Sequence, residues 1–443
     1  MFNTDGSLKT AAVQAAIGGS IPVTGNGSAV LYGSLWPAAD VFPPATRTAV
    51  KTIFAAGHGY TKSAGNGTVS DDTTIFELGT QSLKIACPGD GVTNSAQKTG
   101  ITSFDATGKY FALTVMCDTP VNLQRLLLYV TSDGFANFSS APMIDSAANA
   151  TSPWLVPNRW ETILIPAGSF STAGGGGTGA TFSAITGMQV SVGDLGSSKT
   201  LNLWVNEISL VAAPSTGVCT FTFDDSYKNQ RVLGTSYMDK YGYKATFGPI
   251  INTLGANAGT QNEKFSLADL QGLYAAGHDF AVHAYDIAIH NGYATATDSQ
   301  IETDIQQAKA YMRANGLGAV DNHLIPLGSL LRSSQIDIYR RYFNAARCSY
   351  AKMRETYPPA RALGMRTQQI DSSTAVGTVT AAITEAATNK EWLILMCHNI
   401  AASDPGGGAT WVSTANFQTI VDAVQSAGLK VKTMTDVVKT GIT

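Results

Sequence analysis

The apolar, β-branched run of residues 218–223 ends abruptly at two carboxylates, Asp224 and Asp225. Such a run predicts a buried strand that carries both acids to the edge of a sheet. Because adjacent strand residues point to opposite faces, one Asp can bind a metal while the other acts on a nearby proton. Two like charges this close also separate their pKa values, as acid–base chemistry requires. The alternative for an isolated Asp-Asp pair is a strand followed by an Asp-rich turn or helix cap.

The positions of the histidines favour a functional site. Five of the six histidines follow the Asp pair, and two of them, His283 and His398, close further apolar runs, residues 279–282 and 392–397. In a barrel of parallel strands the active site lies at the carboxyl ends of the strands. Three strand ends that carry Asp-Asp, His and His therefore predict one site at that rim.

The amino-acid sequence divides into three parts with different residue patterns. Residues 1–65 are punctuated by Gly, Ala and Pro without a sustained period and are interpreted as an arm or attachment segment. Short alternating runs over residues 66–212 predict a β-sandwich of jelly-roll type. From residue 217 to 443, strands alternate with helical patterns, which predicts an α/β domain, a deformed barrel of seven or eight β/α units. The expected fold class is multidomain, all-β followed by α/β.

Composition excludes several function classes. Charged residues make up 14% of the chain and the net charge is −3, so nucleic acid is not an expected partner. The five cysteines form no CxxC pair and indicate neither a disulfide framework nor a zinc ribbon. No run is long enough to span a membrane, and the N-terminus has no clear signal peptide. The low charge and abundant Gly and Thr favour an extracellular or virion-associated protein.

Four motifs of residues 218–438 resemble the NodB-type polysaccharide deacetylases, carbohydrate esterase family four. The family's Thr-Phe-Asp-Asp-Gly corresponds to residues 222–226, Thr-Phe-Asp-Asp-Ser, and its Gly-His-Glu-Ile-x-x-His to residues 277–283, Gly-His-Asp-Phe-Ala-Val-His. The Pro-x-Gly of its third motif is similar to residues 326–328. Its final aliphatic run, ending in Leu-x-His, is similar to residues 394–398.

The resemblance implies a metal-dependent hydrolase that removes acetyl groups from an acetylated polysaccharide, N- or O-linked. It implies that Asp225 and His283 bind a divalent cation, with zinc as the expected ion. Asp224 would be the general base and His398 the general acid. A backbone N–H near Leu327 would stabilise the oxyanion. These roles agree with the chemistry of an open metal site with a carboxylate and two imidazoles.

The chain departs from the family pattern at the third ligand. The family's second metal histidine comes four residues after the first, where this chain has Ile287. His290 is preferred over Asp286 as the third ligand. Two helical turns would carry His290 roughly 10 Å away, so this assignment requires a loop over residues 285–289 that brings it back.

The family's orienting Arg in the third motif is also absent, with Leu324 at the aligned position. Arg347 and Arg366 are the candidates for a replacement partner of Asp224. His278, Asp279 and His323 are interpreted as structural.

The β-rich segment is similar to the jelly-roll carbohydrate-binding modules of glycan-active enzymes, with Trp154 as the expected sugar contact. A competing hypothesis is a non-catalytic glycan-binding or structural protein of a phage tail or extracellular particle, with a decayed deacetylase barrel. The shifted histidine and the absent Arg motivate this alternative. A phage tail protein would be expected to form a trimer. A glycosidase with paired carboxylates is less consistent with adjacent acids and strand-end histidines.

Overall fold

The structure is a computed structural model and describes residues 47–51, 54–144, 155–172, 178–318, 320–326, 333–348, 354–359, 361–408 and 410–442. The predicted contacts Trp154 and Leu327, and residues 1–46 of the predicted arm, lie outside the described residues.

The N-terminal part consists of two antiparallel sheets of six strands each. In chain order their strands are β1 Arg47–Lys51, β2 Thr61–Ala64, β3 Thr68–Asp72, β4 Ser82–Cys87, β5 Asn94–Lys98, β6 Lys109–Cys117, β7 Leu123–Thr131, β8 Phe138–Ile144, β9 Glu161–Pro166, β10 Ser171–Thr172, β11 Gly187–Asp194 and β12 Leu201–Ala212. One sheet has the order β3-β4-β12-β6-β9, with β1 also paired to β12, and the other has the order β10-β8-β7-β11-β5-β2. Alternate side chains of both sheets, among them Phe111, Leu128, Val190 and Leu203, belong to one buried apolar cluster.

Two strands show that the β-rich part begins earlier in the chain than the sequence predicted. β1 is hydrogen bonded to β12 and β2 to β5, although both lie within the range 1–65 that the sequence assigned to an arm. The side chains of Phe54 and Tyr60 are buried in the core of the sheets. Short strands separated by Gly-rich turns carry too weak a periodicity to reveal this from sequence. The β-rich part therefore begins before residue 66.

The C-terminal part alternates parallel strands with helices. Its strands are β13 Val218–Asp224, β14 Thr246–Gly248, β15 Asp279–Phe280, β16 Asn322–Leu324, β17 Ala345–Arg347, β18 Leu363–Met365, β19 Gln368–Ile370, β20 Trp392–Cys397, β21 Asn399–Ala401, β22 Trp411–Ser413 and β23 Lys430–Val431. Its helices are α1 Ser236–Met238, which continues a π-helical turn at Gln230–Thr235, α2 Leu267–Ala275, α3 Ile287–Asn291, α4 Asp298–Ala314, α5 Ser333–Tyr342, α6 Val376–Asn389, α7 Thr414–Ser426 and α8 Met434–Thr440.

The parallel strands bring their carboxyl ends to one rim. The strands β15-β14-β13-β20-β19 form one sheet, in which β23 also pairs with β13, and β16-β17-β18 form a second; every neighbouring pair in both is parallel. A bridge between Val282 and His323 joins the sheets at one edge, and only two residues separate β18 from β19 at the other. The closed barrel and its number of units stay predictions, as does the jelly-roll connectivity of the N-terminal part. The predicted order, a β-rich part followed by an α/β part, agrees with the structure.

Helix ends follow the sequence signals. Ser266 and Thr297 form complete capping boxes with Asp269 and Gln300 at the starts of α2 and α4. Within the described ranges, no helix combines the length and the apolar character that crossing a membrane requires.

Candidate metal centre

The chain turns sharply where β13 ends. Asp225 and Ser226 have φ angles of +71° and +63°, in the left-handed region that non-glycine residues occupy at a cost of roughly 1–3 kcal/mol each. Hydrogen bonds hold this conformation: the Lys264 ammonium donates to the carbonyl of Asp225 at 2.7 Å, and the Ile250 amide donates to Ser226 Oγ at 2.8 Å. The turn therefore fixes the direction in which the Asp225 carboxylate points.

Three donor atoms converge beside this turn. Asp225 Oδ1 lies 3.2 Å from Nε2 of both His283 and His290, and the two Nε2 atoms are 3.1 Å apart. His283 follows β15, and His290 lies in α3. In the part of the chain that the structure describes, these three residues are the group of acids, histidines and cysteines arranged closely enough to hold a metal ion.

The hydrogen bonds of the two rings define which nitrogen faces the cluster. His283 Nδ1–H donates to the carbonyl of Leu324 at 2.5 Å, and His290 Nδ1 lies 3.0 Å from Asn291 Oδ1. An imidazole that donates through Nδ1 presents an unprotonated Nε2, the form that binds metals. Two nitrogen lone pairs and a carboxylate oxygen thus point at one another.

The donor set fits a divalent cation. In a tetrahedral zinc site with bonds of about 2.0–2.1 Å, ligand atoms are roughly 3.3 Å apart, close to the separations found here. One anionic oxygen and two neutral nitrogens are a suitable set for zinc.

The step of seven residues between the histidines has a simple structural basis. Residues 284–286 are not helical, and α3 begins only at Ile287, so one helical turn rather than two separates His290 from the loop. The predicted loop over residues 285–289 is thus shorter than expected. Asp286 is used as the N-cap of α3, where its Oδ1 accepts from the Ala288 amide at 2.8 Å. The structure therefore brings His290, and not Asp286, beside His283.

Asp224 lies next to this cluster and is paired with Arg347. Arg347 Nη2 contacts Asp224 Oδ1, and the two side chains are 0% and 2% exposed. Burial alone would raise the pKa of Asp224, but the charge of Arg347 holds that pKa below its ordinary value. His398 Nε2 lies 4.0 Å from the second oxygen, Asp224 Oδ2. A buried carboxylate kept ionised beside an imidazole is an arrangement that can accept and donate protons.

Two features of the site were weakly signalled or absent in the sequence analysis. Arg347, from the end of β17, is the partner of Asp224, whereas Arg366 pairs with Glu355 at 2.6 Å. Gln230 was not predicted at all: its Nε2 lies 2.5 Å from the carbonyl oxygen of Asp224 and 3.1 Å from that of His398. Gln230 thereby ties the ends of β13 and β20 together. A Gln five residues after the Asp pair was the one available signal.

The remaining histidines of the C-terminal part lie apart from the cluster. His278 is buried, and its Nδ1 accepts from the Ala245 amide at 3.1 Å. His323, in β16, packs between the rings of Tyr339 and Phe343, with ring centroids 5.2 and 4.8 Å away. Both positions agree with the structural interpretation of these residues.

Comparison with known proteins identifies the class of the C-terminal part. Residues 212–341 match the family model described as polysaccharide deacetylase. The range contains Asp224, Asp225, His283 and His290. The match confirms, for this part of the chain, the family that the motifs indicated: the chain contains a polysaccharide deacetylase domain, which is a carbohydrate esterase by class.

Several solved structures are similar to this chain at low identity. The Xyl-CE4 domain of a multidomain xylanase from the hindgut metagenome of Trinervitermes trinervoides is 15% identical, with 50% of this chain and 90% of that chain covered and a TM-score of 0.35. A family 4 carbohydrate esterase from Streptomyces lividans is 14% identical, with 52% of this chain and 97% of that chain covered and a TM-score of 0.34. A CE4 family pseudoenzyme from Bacillus anthracis is 16% identical, with 51% of this chain and 66% of that chain covered and a TM-score of 0.34. Among curated proteins, none matches the chain.

Proposed function

We propose that this protein is a metal-dependent hydrolase that removes acetyl groups, N- or O-linked, from an acetylated polysaccharide. The observation that carries the proposal is the convergence of Asp225 Oδ1, His283 Nε2 and His290 Nε2, with 3.1–3.2 Å between them. Two imidazole nitrogens and a carboxylate oxygen gathered this closely are the donor set of a divalent-cation site. The polysaccharide deacetylase match of residues 212–341 supports the same class.

Asp225, His283 and His290 are the proposed ligands of a divalent cation, and zinc is the expected ion. Such a cation, when bound, lowers the pKa of a water and polarises the acyl carbonyl. The ring tautomers support this role, because the Leu324 carbonyl and the Asn291 side chain each occupy an Nδ1 and leave Nε2 to face the site.

Asp224 is the proposed general base. The charge of Arg347 keeps it ionised inside the protein, so it can take a proton from the water that adds to the acyl carbon. His398, 4.0 Å away, would then give a proton to the sugar oxygen or nitrogen as its bond to the acyl carbon breaks and acetate leaves. A backbone N–H near Leu327, outside the described residues, is the proposed oxyanion donor.

The wider setting of this activity is also a proposal. We propose that the α/β part is a deformed barrel of NodB type and the β-rich part a jelly-roll-like, carbohydrate-binding domain, with Trp154 as a sugar contact. A polymer substrate and a low content of charged residues, 14%, support an extracellular or virion-associated protein. If the chain belongs to a phage tail, a trimer is expected in light scattering.

The test measures acetate released from acetylated chitin, xylan and O-antigen-like glycans before chelation, after chelation and after zinc is added back. Asp225→Asn, which removes the anionic ligand with little change in volume, should release no acetate and bind no zinc. Asp239→Asn is the matched control, because Asp239 is 59% exposed and pairs with Lys244 on the surface. Retained activity in Asp225→Asn, or activity indifferent to chelation, would refute the proposal.

The alternative is a glycan-binding or structural protein with a decayed barrel. The shifted histidine and the absent family Arg suggested it, but here His290 Nε2 lies 3.2 Å from Asp225 Oδ1 and Arg347 pairs with Asp224. These contacts favour the enzyme. A purified protein that holds no stoichiometric metal, releases no acetate and still binds a glycan would favour the alternative.

A further inference from the structure

A buried carboxylate outside the proposed catalytic set holds the loop that leads to the third ligand. Asp304, on α4, is 4% exposed. Its Oδ2 accepts from the Tyr285 amide at 3.0 Å and its Oδ1 from the Asp286 amide at 2.8 Å. Tyr285 and Asp286 are two of the three residues between His283 and α3. We infer that Asp304 is a positioning residue that sets the place of His290 as a metal ligand, an inference that rests on the proposed function.

The helix α3 cannot position His290 alone. The helix has five residues, Ile287–Asn291. Isolated helices shorter than about 12 residues are marginal in water, so neighbouring structure must determine where α3 begins. The place of the imidazole therefore depends on what holds residues 284–286.

Residues 284–286 form few other hydrogen bonds with the rest of the protein. The Ile251 amide donates to the Ala284 carbonyl at 3.1 Å, and the Asn252 amide to the Tyr285 carbonyl at 2.9 Å. These bonds use the carbonyl groups of the segment. The amides of Tyr285 and Asp286 point the other way, and their hydrogen-bond acceptor among the described residues is Asp304. Hydrogen bonds to a charged acceptor are roughly twice as strong as neutral ones.

Residues 284–286 are connected to the His290 imidazole through the N-cap of α3. Asp286 caps α3, and its carbonyl accepts from the His290 amide at 2.9 Å. Asn252 fastens the same cap, with Nδ2 donating to Asp286 Oδ1 at 2.9 Å and Oδ1 accepting from the Ile287 amide at 3.0 Å. A shift of the Asp286 backbone would thus move the whole first turn and His290 with it. Seven residues separate the two histidine ligands in this chain, and Asp304 holds the amides of two residues that lie between them, Tyr285 and Asp286.

The experiment uses the full-length protein, freed of metal by chelation and titrated with Co²⁺, whose visible absorption reports the ligands. Asp304→Ala should weaken Co²⁺ binding by about 10–100-fold, the loss typical of residues that orient metal ligands. Its spectrum should approach that of His290→Ala. The double variant Asp304→Ala/His290→Ala should bind no more weakly than His290→Ala alone, because Asp304 acts through His290.

Asp279→Ala is the matched control. Asp279 is also a carboxylate that accepts from a backbone amide, that of Thr435 at 3.1 Å, but it lies at the opposite end of β15 from His283. This variant should lose stability and keep the wild-type Co²⁺ affinity and spectrum. If Asp304→Ala does not fold, Asp304→Asn, which keeps one acceptor oxygen, should give a smaller change in the same direction.

The outcomes separate the two proposals. A wild-type protein that binds no Co²⁺ overturns the proposed function and this inference with it. A wild-type protein that binds Co²⁺ while the folded Asp304 variants keep its affinity and spectrum overturns this inference alone. Losses that add in the double variant would also overturn it, because they would mean that Asp304 does not act through His290.

Discussion

Arg347 and Asp224 form an ion pair from which solvent is excluded, with the guanidinium on β17 and the carboxylate at the end of β13. The same guanidinium places Nη1 3.0 Å from Met396 Sδ on β20. Three strand ends therefore meet at one side chain. Arg347 neutralises the proposed base without touching the proposed metal ligands, so stability and catalysis at this site can be separated by substitution.

Replacement of Arg347 by Met should destabilise the protein by about 3–5 kcal/mol, because it leaves Asp224 buried without a counter-charge. Urea unfolding measures this loss. The double variant Asp224→Asn/Arg347→Met should recover much of the stability, since neither charge remains, but should release no acetate. Equal destabilisation by the single and double variants would show that the pair is not coupled.

Gln230→Met should lower stability by roughly 2–6 kcal/mol. The methionine has a similar volume but cannot donate to the carbonyls of Asp224 and His398, so two buried acceptors lose their partner at about 1–3 kcal/mol each. Acetate release should fall as well, because the proposed base and acid are no longer tied together. Gln307→Met, at an exposed position of α4, is the control and should change neither quantity. Wild-type activity in Gln230→Met would mean that the two strand ends hold their places without it.

The sequence predicted the parts of the site that follow from strand patterns. Asp224, Asp225, His283 and His398 all stand at or just beyond the ends of apolar runs, and parallel strands bring such ends to one rim. The alternation of strands with helical patterns likewise predicted the α/β part. Local pattern is sufficient here because each strand is buried on both faces and reads as a continuous apolar run.

The parts that sequence could not supply depend on contacts between distant segments. Arg347 is 123 residues from Asp224, and nothing in its local pattern distinguishes it from Arg366, which pairs with Glu355 instead. The position of His290 depends on Asp304, a helix residue whose capture of two loop amides has no sequence signature. Edge strands such as β1 and β2 were missed because short polar strands resemble loops until a partner strand is known.

His278 should make the stability of the protein depend on pH. Burial, followed by the nearby Lys244, lowers the pKa of His278 from 6.5 to about 4. A histidine with a depressed folded-state pKa contributes stability that is complete above pH 6.5 and is lost as the pH falls toward 4. A difference of this size corresponds to about 3 kcal/mol. Protonation would also break the hydrogen bond that Nδ1 accepts from the Ala245 amide.

The measurement for His278 is urea unfolding of the wild type and of His278→Asn at pH 7, 5.5 and 4. The wild type should lose stability more steeply between pH 6.5 and 4 than the variant, whose side chain does not titrate. The comparison cancels the other groups that titrate in this range, since both proteins share them. Parallel pH profiles would contradict the prediction.

The contact between the β-rich part and the α/β part should depend on Glu161 and Arg361. Glu161, on β9, is 8% exposed and pairs with Arg361, which precedes β18. At the other end of the β6–β9 pairing, the Tyr110 hydroxyl lies 2.7 Å from the Lys390 carbonyl oxygen and 3.0 Å from that of Asn389. Burial raises the pKa of Glu161, against the attraction of Arg361, so this carboxylate depends on its partner to remain charged.

Arg361→Met should therefore destabilise the protein by about 3–5 kcal/mol, because one buried charge loses its partner. In calorimetry we expect the wild type to unfold in one transition and Arg361→Met to unfold in two, as the two parts lose a main link. Arg313→Met is the control: Arg313 is 55% exposed and lies 3.7 Å from Asp321, and exposed pairs are worth about 0–1 kcal/mol. Glu161→Gln/Arg361→Met should restore most of the loss, since it leaves no buried charge. A single transition at the wild-type temperature in Arg361→Met would show that apolar packing and the Tyr110 contacts suffice to hold the two parts together.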